Sequence, residues 1–257
     1  MALERTALRL AVIPALNADP IIAAMCAGRI YDSRIDQLSS KEPVPLIVVT
    51  TDDESGPAWS VNNGGPPFNL KCDLILEISV RVTVPTDGND SESLGVLETD
   101  RELESALDLL EQRAVDAIAI GDTTQSALVR NTVLRRVSEM KSSRFVSDET
   151  GVKLAVRVVT LTAELMNIQP LDPSNSATGS FAVLPDPLRS VCAGLDPTSS
   201  GYAVCQSIAT RFSPPTDLTL TGIDIQIGAA AQFDPLNPPS PTDPNAADLI
   251  FEKVDFP

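Results

Sequence analysis

The sequence predicts an α+β protein, and three segments carry that prediction. Two of them alternate apolar and polar residues as half-buried strands do: Cys72 to Val84, where every even position is apolar, and Val152 to Leu165. The third places Leu103, Ala106, Leu107, Leu110, Ala114, Ala117 and Ile118 at the three-to-four spacing of one helix face.

The other elements follow from local chemistry. Leu3, Ala7, Leu10, Ala11 and Leu16 have helical spacing, with Pro14 expected to interrupt the helix because it lacks an N–H and its ring clashes with the preceding turn. Asp19-Pro20 opens a second short helix, Ile21 to Cys26, which Gly28 is placed to end. Arg29 to Glu42 reads as irregular, and Pro43 and Pro45 bracket the start of a strand, Leu46 to Thr51. The acidic, Gly/Pro/Asn-rich stretch from Asp52 to Asn69 reads as a long loop or hairpin. Pro85 to Asp90 is a turn or linker, and Thr99 with Glu102 forms a capping box for the long helix that Gly121 closes. Thr123 to Met140 fits either a short helix or a strand. In the second long strand the apolar phase moves from even positions (Val152, Leu154, Val156, Val158) to odd ones (Val159, Leu161, Ala163, Leu165), which predicts a β-bulge near Val158-Val159.

Residues 170 to 257 hold 13 of the 21 prolines and three basic residues, Arg189, Arg211 and Lys253. The expected boundary therefore separates a core, residues 1–169, from a proline-rich C-terminal extension, residues 170–257. Within the extension, Val183 to Phe212 has room for one or two short helices, Asp217 to Ile227 reads as a strand bulged at Gly222, and the apolar residues of the last segment, Leu249 to Phe256, read as an extended anchor.

Composition narrows the function classes. The chain has 257 residues and a net charge of −16, which opposes counterion-release binding to nucleic acid. It has no histidine, so Ser-His-Asp and Cys-His nucleophilic catalysis and His-ligated metals are excluded. No apolar stretch reaches the roughly 18 residues of a membrane span, and the N-terminal helix carries Glu4, Arg5 and Arg9, so a soluble protein without a signal peptide is expected. The four cysteines contain no CxxC pair; buried free thiols in a reducing compartment are the expectation, with a Cys192–Cys205 bridge left open.

No chemical motif is complete. Asp87 to Glu98 places oxygen ligands where a calcium loop needs them but has Glu92 where the sharp turn needs glycine, so a solvated acidic linker is the better reading. Asp52-Asp53-Glu54 lies in a polar stretch with nothing to raise a carboxyl pKa. Asn63 to Pro67 lacks the lysine and following helix of a phosphate loop. The expectation is therefore no catalytic residue, no cofactor and no metal. Arg135, Arg136, Lys141 and Arg144 form the one basic cluster, readable as a solvated face or as a patch facing an acidic neighbour or DNA.

The order of a helix, the block Ala27 to Asp36 (AGRIYDSRID), the strand VPLIVVTTDD, the strand CDLILEISVRV, the helix RELESALDLLEQRAVDAI and the strand KLAVRVVTLTAEL resembles the tail terminator proteins of long-tailed bacteriophages and gene transfer agents, over residues 1–169. The resemblance implies a mixed or antiparallel sheet with helices packed on one face, in a subunit of a hexameric ring at the head-proximal end of a tail tube. Such a ring ends tube growth and joins tail to connector, so the implied partners are further copies of the chain, the tail tube protein and the head-tail connector proteins. DNA passes through without specific binding, no membrane is involved, and the implied location is the neck or tail of the virion, assembled in the host bacterial cytoplasm. The proline-rich extension has no counterpart in a minimal terminator. Asp73, Glu77 and Arg81 on the polar side of the first long strand, together with Arg135, Arg136 and Arg144, are the expected subunit-interface residues. Other neck, tube or baseplate components, or a β-rich ligand-binding module, are the alternatives.

Overall fold

The computed structural model describes residues 2–34, 45–60, 62, 64–82, 100–147, 153–166, 179–212, 222–226 and 251–255. The chain divides into two compact units, Met1–Phe212 and Ser213–Pro257.

The first unit is an α+β fold built around helix α1 (Ala2–Ala18), which runs unbroken through Pro14. Ala7, Leu8, Leu10, Ala11, Val12, Ala15 and Leu16 are all buried, which places apolar contact on most of the helix circumference. That packing outweighs the roughly 3 kcal/mol a proline costs in a helix interior, so the interruption expected at Pro14 does not occur. Helix α2 (Pro20–Cys26) starts as expected. Asp19 caps it, its side chain accepting from the Ile21 and Ile22 N–H groups at 3.0 Å, and Pro20 takes the first helical position, where no N–H is needed. The helix ends one residue earlier than Gly28 suggests, with Ala27 itself in the left-handed region at φ 46°.

Strand β1 (Ile30–Asp32) pairs in parallel with β2 (Leu46–Ser55), and the small hairpin β3 (Ala58–Ser60) and β4 (Gly64–Phe68) leads to β5 (Lys71–Val82). The segment from Asp52 to Asn69 is thus the end of one strand plus a hairpin, where a loop or hairpin is expected. A register shift between Asp52 and Glu54, with Asp53 at φ 22°, marks a bulge in β2. Helix α3 (Asp100–Ala119) buries all seven residues of its expected stripe, and the N–H groups of Ile120 and Gly121 both return to the Asp116 carbonyl. Gly121 is required by close approach, since a Cβ there would lie 2.5 Å from the Ser126 hydroxyl. The ambiguous stretch that follows holds a short helix α4 (Thr124–Leu128), a π-helical turn (Val129–Val133) and the strand β6 (Leu134–Ser147), after which β7 (Lys153–Leu165) completes the main sheet.

The sheet is mixed, in the order β1-β2-β5-β7-β6, with every pairing after β1-β2 antiparallel. Ile47 and Val49 of β2, Cys72, Leu74, Leu76, Ile78 and Val80 of β5, and Ala155, Val159, Leu161, Ala163 and Leu165 of β7 face the helices and join one core with α1 and α3. β7 pairs with β5 without a register break from Glu164 to Lys153, so the bulge expected at Val158-Val159 is absent. The odd face of β7 points to the core throughout. The apparent phase switch arises because Arg157 occupies a core-side position and Val156 and Val158 lie, half-buried, on the opposite face.

The expected boundary after Gln169 also moves. Helices α5 (Leu188–Gly194) and α6 (Ser200–Phe212) belong to the first unit, because Phe181, Leu184, Leu188, Val191, Cys192, Leu195, Cys205 and Ala209 join the same core and α5 packs on α1. In the second unit β8 (Gly222–Gln226) pairs antiparallel with β9 (Phe251–Asp255). The start of the strand expected from Asp217 and the expected turn or linker Pro85 to Asp90 lie outside the described residues. Among the described residues no single helix is long and apolar enough to cross a membrane.

A chain ending at Gln169 loses the buried Leu184, Leu188, Val191 and Leu195, each worth roughly 1.5–3 kcal/mol of apolar burial. It is expected to melt well below a chain ending at Phe212, as thermal unfolding followed by circular dichroism would measure.

Candidate functional site

Strand β6 is one edge of the sheet. Among the described residues it pairs only with β7, and Ser138 to Phe145 are exposed without a break. Two register shifts, between Leu134 and Arg136 and between Val137 and Glu139, bend its first turn, after which Glu139 to Ser147 runs in regular register. Its outer side thus offers a regular row of backbone donors and acceptors, and it carries two exposed apolar side chains, Met140 at 46% and Phe145 at 58%. The opposite edge, β1, is three residues long.

The basic cluster lies on this edge, but its charges are largely engaged within the chain. Arg136 makes a two-pronged contact with Glu164, Nε to Oε2 at 2.6 Å and Nη2 to Oε1 at 2.9 Å, and Lys71 reaches the same carboxylate at 3.0 Å. The hydrogen bonds from Arg136 and Lys71 outweigh the opposing effect of burial and hold the Glu164 carboxyl down at about 2. Lys141 pairs with Glu139 at 3.1 Å and Arg144 with Glu104 of α3. The patch is therefore not the concentrated positive field that a polyanion needs.

Arg157 is the feature that sequence reasoning missed. Its guanidinium lies on the helix side of β7, 15% exposed, and faces three carboxylates of α3: Glu111 at 2.8 Å, Asp108 at 2.9 Å and Glu104 at 3.1 Å. Burial pulls the guanidinium pKa down, and the charges of Glu111 and Asp108 more than offset that, so the side chain stays charged. Arg144 stands directly opposite Arg157 across the β6-β7 ladder, and Glu104 bridges the two, relieving the like-charge contact. The Ser142 hydroxyl donates to Glu111 at 3.0 Å, so the same acidic stripe also holds the edge strand. The signal was present in the sequence as Glu104, Asp108 and Glu111 at helical spacing, with an arginine breaking an apolar strand phase.

The six expected interface residues do not form one patch. Asp73 and Glu77 lie in mid-sheet on β5, facing away from the helices; Asp73 accepts from the Thr162 hydroxyl at 2.8 Å, and Glu77 is exposed between Val48 and Val158. Arg81 is paired through its backbone with Leu154. Arg135 and Arg136 sit at the start of β6 and Arg144 on its helix side. β7 separates the two groups.

Two further features lie in the helical layer. A groove of about 1050 Å³ runs between α1, the α4 and π-helical segment and the α5-α6 connection, with Leu10, Ile13, Leu128, Leu195 and Val204 among its walls. Cys192 and Cys205 form a disulfide, while Cys26 and Cys72 are free and buried. Two of the four cysteines thus depart from the expected free thiols. Among the described residues no group of three or more His, Cys, Asp or Glu side chains is placed to hold a metal ion, and the acidic segment Asp87 to Glu98 lies outside the described residues.

Replacing Arg157 with Ala leaves three carboxylates facing one another at a half-buried site and is expected to lower unfolding free energy by about 2 kcal/mol, below the 3–5 kcal/mol of a fully buried pair, as measured by urea titration. Because the Glu164 pKa is depressed from 4.5 to about 2, its contribution to stability is complete above pH 4.5 and is lost as pH falls through about 2. Glu164→Gln should therefore flatten the acid limb of the stability profile in that window; an unchanged limb contradicts the assignment.

No family model and no curated protein matches the chain. A solved structure described as "Virion of native gene transfer agent (GTA) particle" is similar to it at 14% identity and a TM-score of 0.30, covering 60% of this chain and 91% of that chain.

Proposed function

We propose that this chain is a structural subunit of a phage-like or gene transfer agent virion, without enzymatic activity, that assembles through the β6 edge into a closed ring at the head-proximal end of the tail. The ring ends growth of the tail tube and joins it to the head connector. The observation that carries this reading is the asymmetry of the main sheet, with one three-residue edge and one 14-residue edge that is in regular register from Glu139 onward and exposed from Ser138 to Phe145. A lone long edge of this kind is an aggregation hazard unless a partner strand covers it. Lys141 and Arg144 discourage unspecific pairing, while Met140 and Phe145 supply apolar contact to a matched neighbour.

Two further features support the reading. The order of elements around the Arg29-Ile30-Tyr31-Asp32 block resembles that of the tail terminators, and the net charge of −16 suits a channel through which DNA moves without sticking. Head-to-tail contacts that close give rings, whereas those that do not close give open tubes.

Native mass spectrometry and negative-stain imaging of the purified chain, alone and with tail tubes, are expected to show closed rings that cap tube ends. Ser143→Lys with Phe145→Lys places two more charges on the outer edge. That variant should keep the wild-type circular dichroism spectrum yet remain monomeric and leave tubes uncapped. Rings that persist in this variant remove β6 from the interface, and open tubes of the wild-type chain identify a tube component in place of a terminator.

A further inference from the structure

We propose that the α5-α6 segment is a redox latch: the Cys192–Cys205 bond is what keeps α6 docked on the helical layer, and reducing it releases α6 while the sheet and α1 stay folded. The two helices are anchored unequally. α5 buries Leu188, Val191 and Cys192 and packs directly on α1. α6 is 13 residues long, yet its buried residues are only Cys205 and Ala209, and one of these is the half-cystine. Val204 and Phe212 are 40% and 45% exposed, and Ala203, Gln206, Ser207, Thr210 and Arg211 also face solvent. Besides the covalent bond, α6 is held by the edge-to-face contact of Tyr202 with Phe181 at 5.1 Å, by the partly buried Ile208 and by the close approach of Gly201 to Leu10 of α1 and to Leu195. A helix of this length is marginal in water without tertiary support.

The bond is also protected. Both cysteines have zero exposure, so an attacking thiolate reaches a sulfur only during brief local openings of the still-tethered α6, and reduction then makes the open state persist. A dithiol reductant then forms a mixed disulfide with one cysteine and expels the other as a thiolate, which takes a proton. Its second thiol closes on the first, so the cystine gains two electrons and two protons and the reductant leaves as a cyclic disulfide. Cys26 and Cys72 provide an internal control, since they are buried apart from the bond and burial pushes their thiols up to about 11 and about 12. In a reducing cytoplasm the chain keeps the latch open, and in an oxidising setting the latch closes. Because Leu195, Gly201 and Val204 form one wall of the groove beside α1, the same bond sets that wall.

Hydrogen exchange read by mass spectrometry on the full chain tests this, with the oxidised protein compared with protein held in dithiothreitol and with the Cys192→Ser, Cys205→Ser double variant. Amides of residues 200–212 are expected to lose protection at least tenfold on reduction and regain it on reoxidation with glutathione disulfide, while β5, β7 and α3 are unchanged. Native-state alkylation of the reduced protein should label Cys192 and Cys205 and spare Cys26 and Cys72. Unchanged protection of α6 in dithiothreitol, with both thiols shown by mass to be free, overturns the proposal. So does a parallel loss of protection in β5 and β7, which makes the bond a global staple. If the double variant fails to fold, the dithiothreitol comparison on the wild-type chain decides alone.

Discussion

The first unit depends on the burial of α1. The helix touches α2, α3, α4, α5, the π-helical turn, β1 and β2, so the sheet and the outer helices share it as their common core element. A helix surrounded in this way must also satisfy its polar residues inside the fold. Arg9 donates to Asp32 of β1 and to Thr51 of β2, both at 2.7 Å, and Arg5 pairs with Glu54 at 3.0 Å, so the polar side of the helix is tied to the first two strands. The same enclosure explains why Pro14 neither ends nor splits the helix and why the cap of α2 is doubly used. Asp19 accepts from its own helix and from Arg113 of α3, which together outweigh burial and keep its carboxyl below the usual range.

Charge organises the β7-β6 end of the helix-facing side of the sheet, as apolar burial organises the rest of that side. Arg157 lies where a leucine or valine would continue the core, and three carboxylates of α3 compensate it. Such a cluster adds little net stability compared with apolar packing, but only the observed placement of α3 on the sheet brings all three of its carboxylates, one turn apart on the helix, to the guanidinium. The stripe extends to Ser142 and Arg144, so the position of α3 also fixes the edge strand. The edge that the assembly reading relies on is thereby held in a fixed shape, which lowers the ordering entropy of pairing with a neighbour.

The helical layer has a different construction. α5 is held by apolar contact and α6 by a covalent bond to α5, with a groove beside them. Rigid sheet edge and conditional helical cap are thus separate parts of one unit, joined through α1.

Local periodicity and capping chemistry were enough to read β5, α2 and α3 from the sequence, because alternation, Asp19-Pro20 and the seven-residue stripe are local signals whose physical cause lies within one element. The α+β class followed from them. The residues expected at an interface on β5 and β6 were legible as charged positions on strands but not as one patch or two, since strand order alone decides that β7 lies between them. Three other properties depended on contacts distant in sequence. Continuity of α1 through Pro14 needed the packing of seven other elements, and the true phase of β7 needed α3 to supply partners for Arg157. The pairing of Cys192 with Cys205 needed α5 and α6 to bring their Cα atoms to 5.7 Å. Sequence by itself determined which segments are amphipathic and with what period. Tertiary structure decided which face, edge and sulfur each of them meets, because burial, strand order and covalent pairing are set by what packs alongside.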